Sequence, residues 1–201
     1  LKIDPSGNLV WSKRISATST SSLEAVALIN SATFDSNENL VIAGSYYGSL
    51  TLGSTTLNDF HSSDNTNHFI AHLDTSGNWT WANRMGGDST HSVFFSSLSF
   101  SAGQAHFLIR AQKVFGNSAV AGTTWFNIGS TNYSTSYGYN YFPGTVNITT
   151  GAFDWSGNIT SSNTGNYPVS SIQPLTDSSG NQYLFFQTLT DLYYRNNQLF
   201  S

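Results

Sequence analysis

Acid–base, nucleophilic and metal chemistry in this 201-residue chain can draw on two glutamates, nine aspartates, five histidines and no cysteine. The missing thiols exclude a disulfide framework and a thiolate metal site. Glycoside hydrolysis needs two positioned carboxylates. Here Asp4, Asp35, Asp74 and Asp177 each open a turn motif, and Asp59, Asp64, Asp88, Asp154 and Asp191 show no paired spacing. His61, His68, His72, His91 and His106 provide no helical metal pair of the metalloprotease type. His68 and His72 share parity on a strand, but strand rise separates them by about 13 Å, too far to chelate one ion. A Gly-x-Ser-x-Gly nucleophile elbow is also missing. The chain is therefore read as non-enzymatic, with no catalytic residue and no metal ligand assigned.

Two weaker chemistries stand in the sequence. Asp-x-Ser/Asn-Gly/Glu-Asn offers hard oxygens like the opening of a calcium loop. The bidentate Glu that completes an EF-hand is missing from every copy, so turn capping is the favoured role and no cofactor is expected beyond that calcium option. Four glycosylation sequons begin at Asn78, Asn132, Asn147 and Asn158. Asn78 sits in a tight turn, and Asn132, in a polar insert, is the favoured acceptor.

Composition narrows the partners. Only 9% of residues are charged and 14% are aromatic, with seven Lys and Arg in all and a net charge of -4. No basic stripe for a phosphate backbone can be built from so few cations, so nucleic acid is excluded. A Ser-, Thr-, Asn- and Gly-rich surface suits an extracellular or cell-surface protein. The apolar runs, such as residues 40–44 and 183–186, are strand-sized and leave no membrane-inserting helix. The opening at Leu1, without Met and already inside an apolar segment, reads as a processed or truncated piece of something longer.

The elements that would position these residues come in repeats. Leu1-Lys-Ile-Asp4-Pro-Ser-Gly7-Asn8-Leu-Val-Trp11 recurs as Ala71-His-Leu-Asp74-Thr-Ser-Gly77-Asn78-Trp-Thr-Trp81. A looser copy, from Val146 to Trp155, follows at a similar spacing. A second motif, Asp35-Ser-Asn-Glu38-Asn39-Leu-Val-Ile-Ala-Gly44, returns after twice that spacing as Asp177-Ser-Ser-Gly180-Asn181-Gln-Tyr-Leu-Phe-Phe186. Asp-x-Ser-Gly-Asn between alternating segments is hairpin chemistry, in which Asp caps the turn and Gly supplies φ > 0. Period-two alternation on either side, as in Trp79-Thr-Trp81-Ala-Asn-Arg-Met85, demands half-buried strands. The expectation is an all-β protein of three units of about 70 residues, spanning 1–66, 67–137 and 138–201, each with four strands in the manner of a propeller blade. For the second unit the strands fall at about 68–74, 78–85, 92–101 and 104–113. Trp11, Trp81 and Trp155 then occupy equivalent positions as packing anchors between blades.

The string from Phe69 to Gly87, preceded by Asn39-Leu-Val-Ile-Ala-Gly44-Ser-Tyr-Tyr-Gly48-Ser-Leu-Thr-Leu-Gly53, resembles the β-propeller repeats of secreted bacterial and archaeal surface proteins. The third unit departs from that pattern: it lacks Gly-Gly after its Trp155 strand and carries Phe186 where Gly44 aligns. His72 replaces the family's lysine before Leu-Asp, so no role of that lysine is carried over. The resemblance implies a propeller built for scaffolding or display, without catalytic residues.

Two polar segments, about 45–67 and 116–140, are long enough to be functional inserts. The second holds Tyr133, Tyr137, Tyr139 and Tyr141 among small polar residues, the composition of an adaptable binding surface. The competing reading is a strand with tyrosines on its exposed face. Three blades do not close a ring, so partners are further repeats of a longer chain or copies of the same chain, with glycans or surface proteins as ligands. The expected role is structural or adhesive within a cell-surface or extracellular assembly. The alternative is a carbohydrate- or protein-binding, lectin-like module using the tyrosine-rich insert.

Overall fold

The computed structural model describes residues 1–18, 25–59, 66–87, 91–113, 126–128, 131–133, 139–155, 159–161, 169–188, 192–194 and 197–200. Among them every regular element is a strand, and neighbouring strands pair antiparallel.

β1 (Lys2–Ile3) and β2 (Leu9–Trp11) form a two-stranded sheet, and β3 (Ser16–Thr18) leads towards the first large sheet. That sheet begins with β4 (Ala27–Phe34) and β5 (Leu40–Tyr46). The chain then leaves it for the hairpin of β6 (Ser49–Leu52) and β7 (Thr55–Leu57), which pairs with β3. It returns as β8 (Asn67–Leu73) and β9 (Trp79–Gly87), completing a meander ordered β4-β5-β8-β9. The second large sheet starts with β10 (His91–Ser101) and β11 (Gln104–Lys113). After β12 (Phe126–Ile128) and β13 (Thr131–Tyr133), which extend the first sheet beyond β9, it resumes with β14 (Tyr139–Asn147) and β15 (Phe153–Trp155). Its meander is β10-β11-β14-β15, and β16 (Ile159–Ser161) also pairs with β14. β17 (Val169–Thr176) and β18 (Gln182–Thr188) form a second two-stranded sheet, while β19 (Leu192–Tyr194) and β20 (Asn197–Phe200) lengthen the second large sheet from β16.

Period-two patterning explains how the sheets stack. In β5, Val41 and Ala43 point one way, joining Ile70 and Met85 of their own sheet with Ala105, Phe107, Ile109, Phe142 and Val146 of the second. Ile42 and Tyr46 point the other way, packing with Phe69 and Ala71 against Leu50, Leu52 and Leu57 of the β6–β7 hairpin. β5 and β8 are thus buried on both faces, and each fully buried Val, Ile or Phe side chain there contributes about 1.5–3 kcal/mol. A third cluster joins Leu108, Tyr141 and Ile159 to Leu184 and Phe186 of β18. The sheets run in series: β1–β2, first large sheet, second large sheet, β17–β18.

Several expectations change. The strands expected at 68–74, 78–85, 92–101 and 104–113 are present within a few residues as β8, β9, β10 and β11, but they do not form one sheet. The first pair closes the first large sheet and the second pair opens the next, so the meanders cover 27–87 and 91–155, half a repeat out of phase with units 67–137 and 138–201. Repeat length reveals a period but not where a sheet begins. The segment at 45–67 carries a hairpin whose Leu50, Leu52 and Leu57 are core residues. Among the described residues the series is open and does not close into a ring.

Gly44 tests this packing. It pairs with Phe69, and a Cβ there would collide with the Leu28 carbonyl oxygen and the Phe69 ring. Gly44→Ala is expected to lower unfolding free energy by about 3 kcal/mol, measured by urea denaturation, whereas Gly7→Ala, where a Cβ meets open space, carries only the strain of its positive φ.

Candidate functional site

The chemistry-bearing residues gather at the turns and at the seams between consecutive sheets. In the turns opened by Asp4, Asp35, Asp74 and Asp177, the Asp amide donates to the carbonyl of the Asn four residues on, and the i+3 amide donates back to the Asp carbonyl. In every copy the carboxylate accepts the backbone N–H of that Asn at 2.7–2.9 Å and its side-chain amide at 2.8–3.1 Å. These bonds hold the carboxyls below their ordinary range: chiefly the Asn8 side chain for Asp4, the Asn78 backbone for Asp74 and the Asn181 side chain for Asp177. For Asp35 burial pushes upward, and the donors Asn39, His72 and Asn37 outweigh it. Carboxylate oxygens turned on N–H donors are poorly disposed to join the all-oxygen shell that calcium requires. The fourth turn residue is Gly7, Gly77 or Gly180 at φ 82–88°, but Glu38 adopts φ 61° in the copy opened by Asp35.

Each tryptophan seam joins one sheet to the next. Trp11 on β2 donates its indole N–H to the Thr75 carbonyl at 2.9 Å, and its ring lies where a Gly77 Cβ would sit. Trp81 on β9 repeats the arrangement one unit on: its N–H donates to the Ile148 carbonyl at 2.6 Å and its ring covers Gly151. Asn83 adds a bond from its side-chain amide to the Gly151 carbonyl at 2.8 Å. Gly77 therefore meets two demands at once, a φ of 82° and the close approach of an indole. At the next seam Gln182 on β18 donates to the Gly144 carbonyl and faces His106 Nδ1, both at 3.1 Å.

Behind the Trp81 seam lies a polar chain whose inner members, Asp35 and His72, are buried. His72 pairs across the strands with Trp81 and stacks on its ring, centroids 5.6 Å apart. Its Nε2 lies 3.2 Å from Asp35 Oδ2 and its Nδ1 lies 2.6 Å from Thr80 Oγ1. An ionised Asp35 only accepts, so Nε2 carries a proton and donates. The order hydroxyl–imidazole–carboxylate is that of an activated nucleophile. Asp35 is also tied into its own turn, and Thr80, His72 and Asp35 line neither of the two clefts described below. The chain fixes the β4–β5 turn to the β8–β9 pair.

Each cleft has a volume of about 570 Å³. One lies between β1–β2 and the first large sheet, lined by Leu1, Ile3, Trp11, Phe34 and Leu40 among others. The other lies between the second large sheet and β17–β18, lined by His106, Thr145, Ile159, Gln182, Leu184 and Phe186 among others.

The residues singled out from sequence are distributed as follows. Tyr141 is buried in the third core cluster and presents no binding face. Tyr133 lies on β13, Tyr139 on β14, Asn132 on β13 and Trp155 on β15; Tyr137 and Asn158 fall outside the described residues. Asn78 is engaged by Asp74, and the side-chain oxygen of exposed Asn147 accepts the Thr149 and Thr150 amides at 3.0 Å. The Asp35–His72 contact escaped sequence reading because 37 residues separate the partners without a motif. The chain matches no known protein family, no curated protein and no solved structure.

Two outcomes follow. Trp11→Ala and Gly77→Ala are each expected to destabilise the fold, and in a double-mutant cycle Gly77→Ala should lose much of its effect in the Trp11→Ala background, a coupling of about 1 kcal/mol or more. Asp35→Asn turns an NH2 group or a weaker acceptor onto Asn39 and His72, for an expected loss of about 1–3 kcal/mol at neutral pH. Because Asp35 titrates below its ordinary value of 3.8 when folded, its stabilisation is present above that value and lost as pH falls through the folded one. Thermal melts across that acid range should show a shallower decline for Asp35→Asn than for the wild type.

Proposed function

We propose that the chain is a segment of a non-enzymatic β-propeller-type repeat array with a structural or adhesive role at the cell surface or in an extracellular assembly. The observation that carries this reading is the series of two four-stranded meanders, 27–87 and 91–155, packed face to face and joined by a tryptophan-on-turn seam that recurs from one sheet to the next. Sheets that pack in series through one repeated contact build an extended, rigid surface, which is what scaffolding and display require. The polar network at the best-formed seam is directed inward to hold a turn, which supports a mechanical rather than a chemical role. A chain with only 9% charged residues agrees with an assembled extracellular location. Among the described residues no helix is long and apolar enough to cross a membrane, so attachment through an internal helix has no support there.

Antibodies raised against the purified chain are expected to label intact, unpermeabilised source cells or the surrounding matrix. Labelling only after lysis would overturn the surface assignment.

A further inference from the structure

Five of the described hairpins open on a residue whose side chain caps the turn, and one of the five departs from the others. Asp4, Asp35, Asp74 and Asp177 open four, and Asn147 opens the fifth, between β14 and β15. In each Asp turn both carboxylate oxygens are used: one accepts the backbone N–H of the Asn four residues on, the other that residue's side-chain amide. The Asn147 turn is one residue longer. Its backbone closes on Ala152, which has no side-chain amide to offer. Asn147 Oδ1 accepts the Thr149 and Thr150 amides, both at 3.0 Å, in the manner of a turn-capping Asx residue. The second atom of this cap is an NH2 group, and among the described residues Nδ2 of exposed Asn147 donates to no acceptor.

The same departure from Asp opens the sequon Asn147-Ile148-Thr149. We propose that Asn147 carries an N-linked glycan. The inference rests on the extracellular reading above, since this modification belongs to exported chains. The donor is an activated glycosyl phosphate, and a transferase catalyses the step. Nδ2 bonds to the anomeric carbon of the sugar, the carbon–oxygen bond to the phosphate breaks, the phosphate leaves with the bonding pair, and Nδ2 loses one proton.

The turn presents its acceptor from a fixed base. Ile148 packs on the core between the two large sheets, and its carbonyl accepts the Trp81 indole N–H at 2.6 Å. Gly151 lies under the same indole ring. Asn147 and Thr149, on either side of Ile148, are exposed, so a sugar on Nδ2 extends into water without disturbing the seam. Further repeats would leave the site open. The equivalent turn at Asp74 has Trp11 of β2 on one side, and its sheet packs on the second large sheet on the other, yet Thr75, Ser76 and Asn78 remain exposed.

The other sequons are placed differently. Asn78 spends its Nδ2 on Asp74 Oδ2 at 3.1 Å. Asn132, the acceptor favoured by sequence, lies inside strand β13 opposite Asn127. A bulky hydrated chain at the Asn147 turn also supplies solubility that a sequence with 9% charged residues lacks.

The test uses protein purified from its source cells, digested with chymotrypsin and sequenced by mass spectrometry. The expected result is hexose or N-acetylhexosamine on the peptide at Asn147, with Asn78 unmodified. Expressed in the same cells, Thr149→Ala should lose the sugar and the gel retardation it causes, whereas Thr149→Ser should keep both. Thr149→Ala retains the Thr149 amide and hence the cap, so circular dichroism should show it folded. Asn147→Asp restores the cap of the other turns and should fold without sugar. Sugar retained at Asn147 by Thr149→Ala would overturn the proposal. A bare Asn147 on chains that antibodies label at the cell surface would overturn it alone, whereas labelling only after lysis overturns the surface reading and the glycan together.

Discussion

An indole seated on the turn of the next sheet is the contact on which this architecture depends. Trp11 reaches the Thr75 carbonyl and covers Gly77, and Trp81 reaches the Ile148 carbonyl and covers Gly151. One residue thereby performs three tasks: it buries a large apolar area, satisfies its N–H on a carbonyl outside its own sheet, and fixes the offset between consecutive sheets. Hydrophobic packing alone is non-directional and would let two flat faces slide. The hydrogen bond to a single carbonyl removes that freedom.

The seam works only if the turn beneath it is rigid, and the Asp supplies that rigidity. Its carboxylate gathers the backbone and side-chain donors of the Asn four residues on, so the loop carries much of its own hydrogen bonding. Where the turn lies outside a tryptophan seam the demand on the fourth residue relaxes. Glu38 can hold a left-handed φ of 61° because the Asp35 turn is fixed from behind by His72 rather than covered by an indole. Trp81 links the two devices, since the same ring that seals the next sheet stacks on the histidine that holds Asp35. Loss of either would loosen the other.

Strand positions were legible because their causes are local. Alternation in residues 68–73 and 79–85, and turn chemistry at 74–78, placed β8 and β9 within a few residues. The grouping of strands into sheets was not legible, because a repeat has no intrinsic first residue: the same period fits hairpins counted from Asp4 as well as from Asp35. Only the pairing of β5 with β8, across the intervening β6–β7 hairpin, decides the phase. The burial of Tyr141 was hidden from the sequence for a related reason. Alternating aromatics specify a strand with two distinct faces but not which face is covered, and at Tyr141 the covered face is the one carrying the ring. The Asp35–His72 bond joins residues brought together by sheet order alone.

Sheet order also accounts for the shortage of charge. A stack buries both faces of its inner sheets, so β5 and β8 carry apolar residues on alternate and intervening positions alike and leave few sites where a lysine or glutamate reaches water. Turns remain, and there aspartate is set to work on backbone amides. The outer strands follow a different rule. Solitary β-proteins guard free edges with lysine, proline or a bulge, yet β18 reads Gln-Tyr-Leu-Phe-Phe-Gln-Thr without a charge. Lys2, the one charged residue of β1, stands at the position equivalent to His72, and its ammonium reaches the Thr75 carbonyl of the neighbouring turn at 3.4 Å.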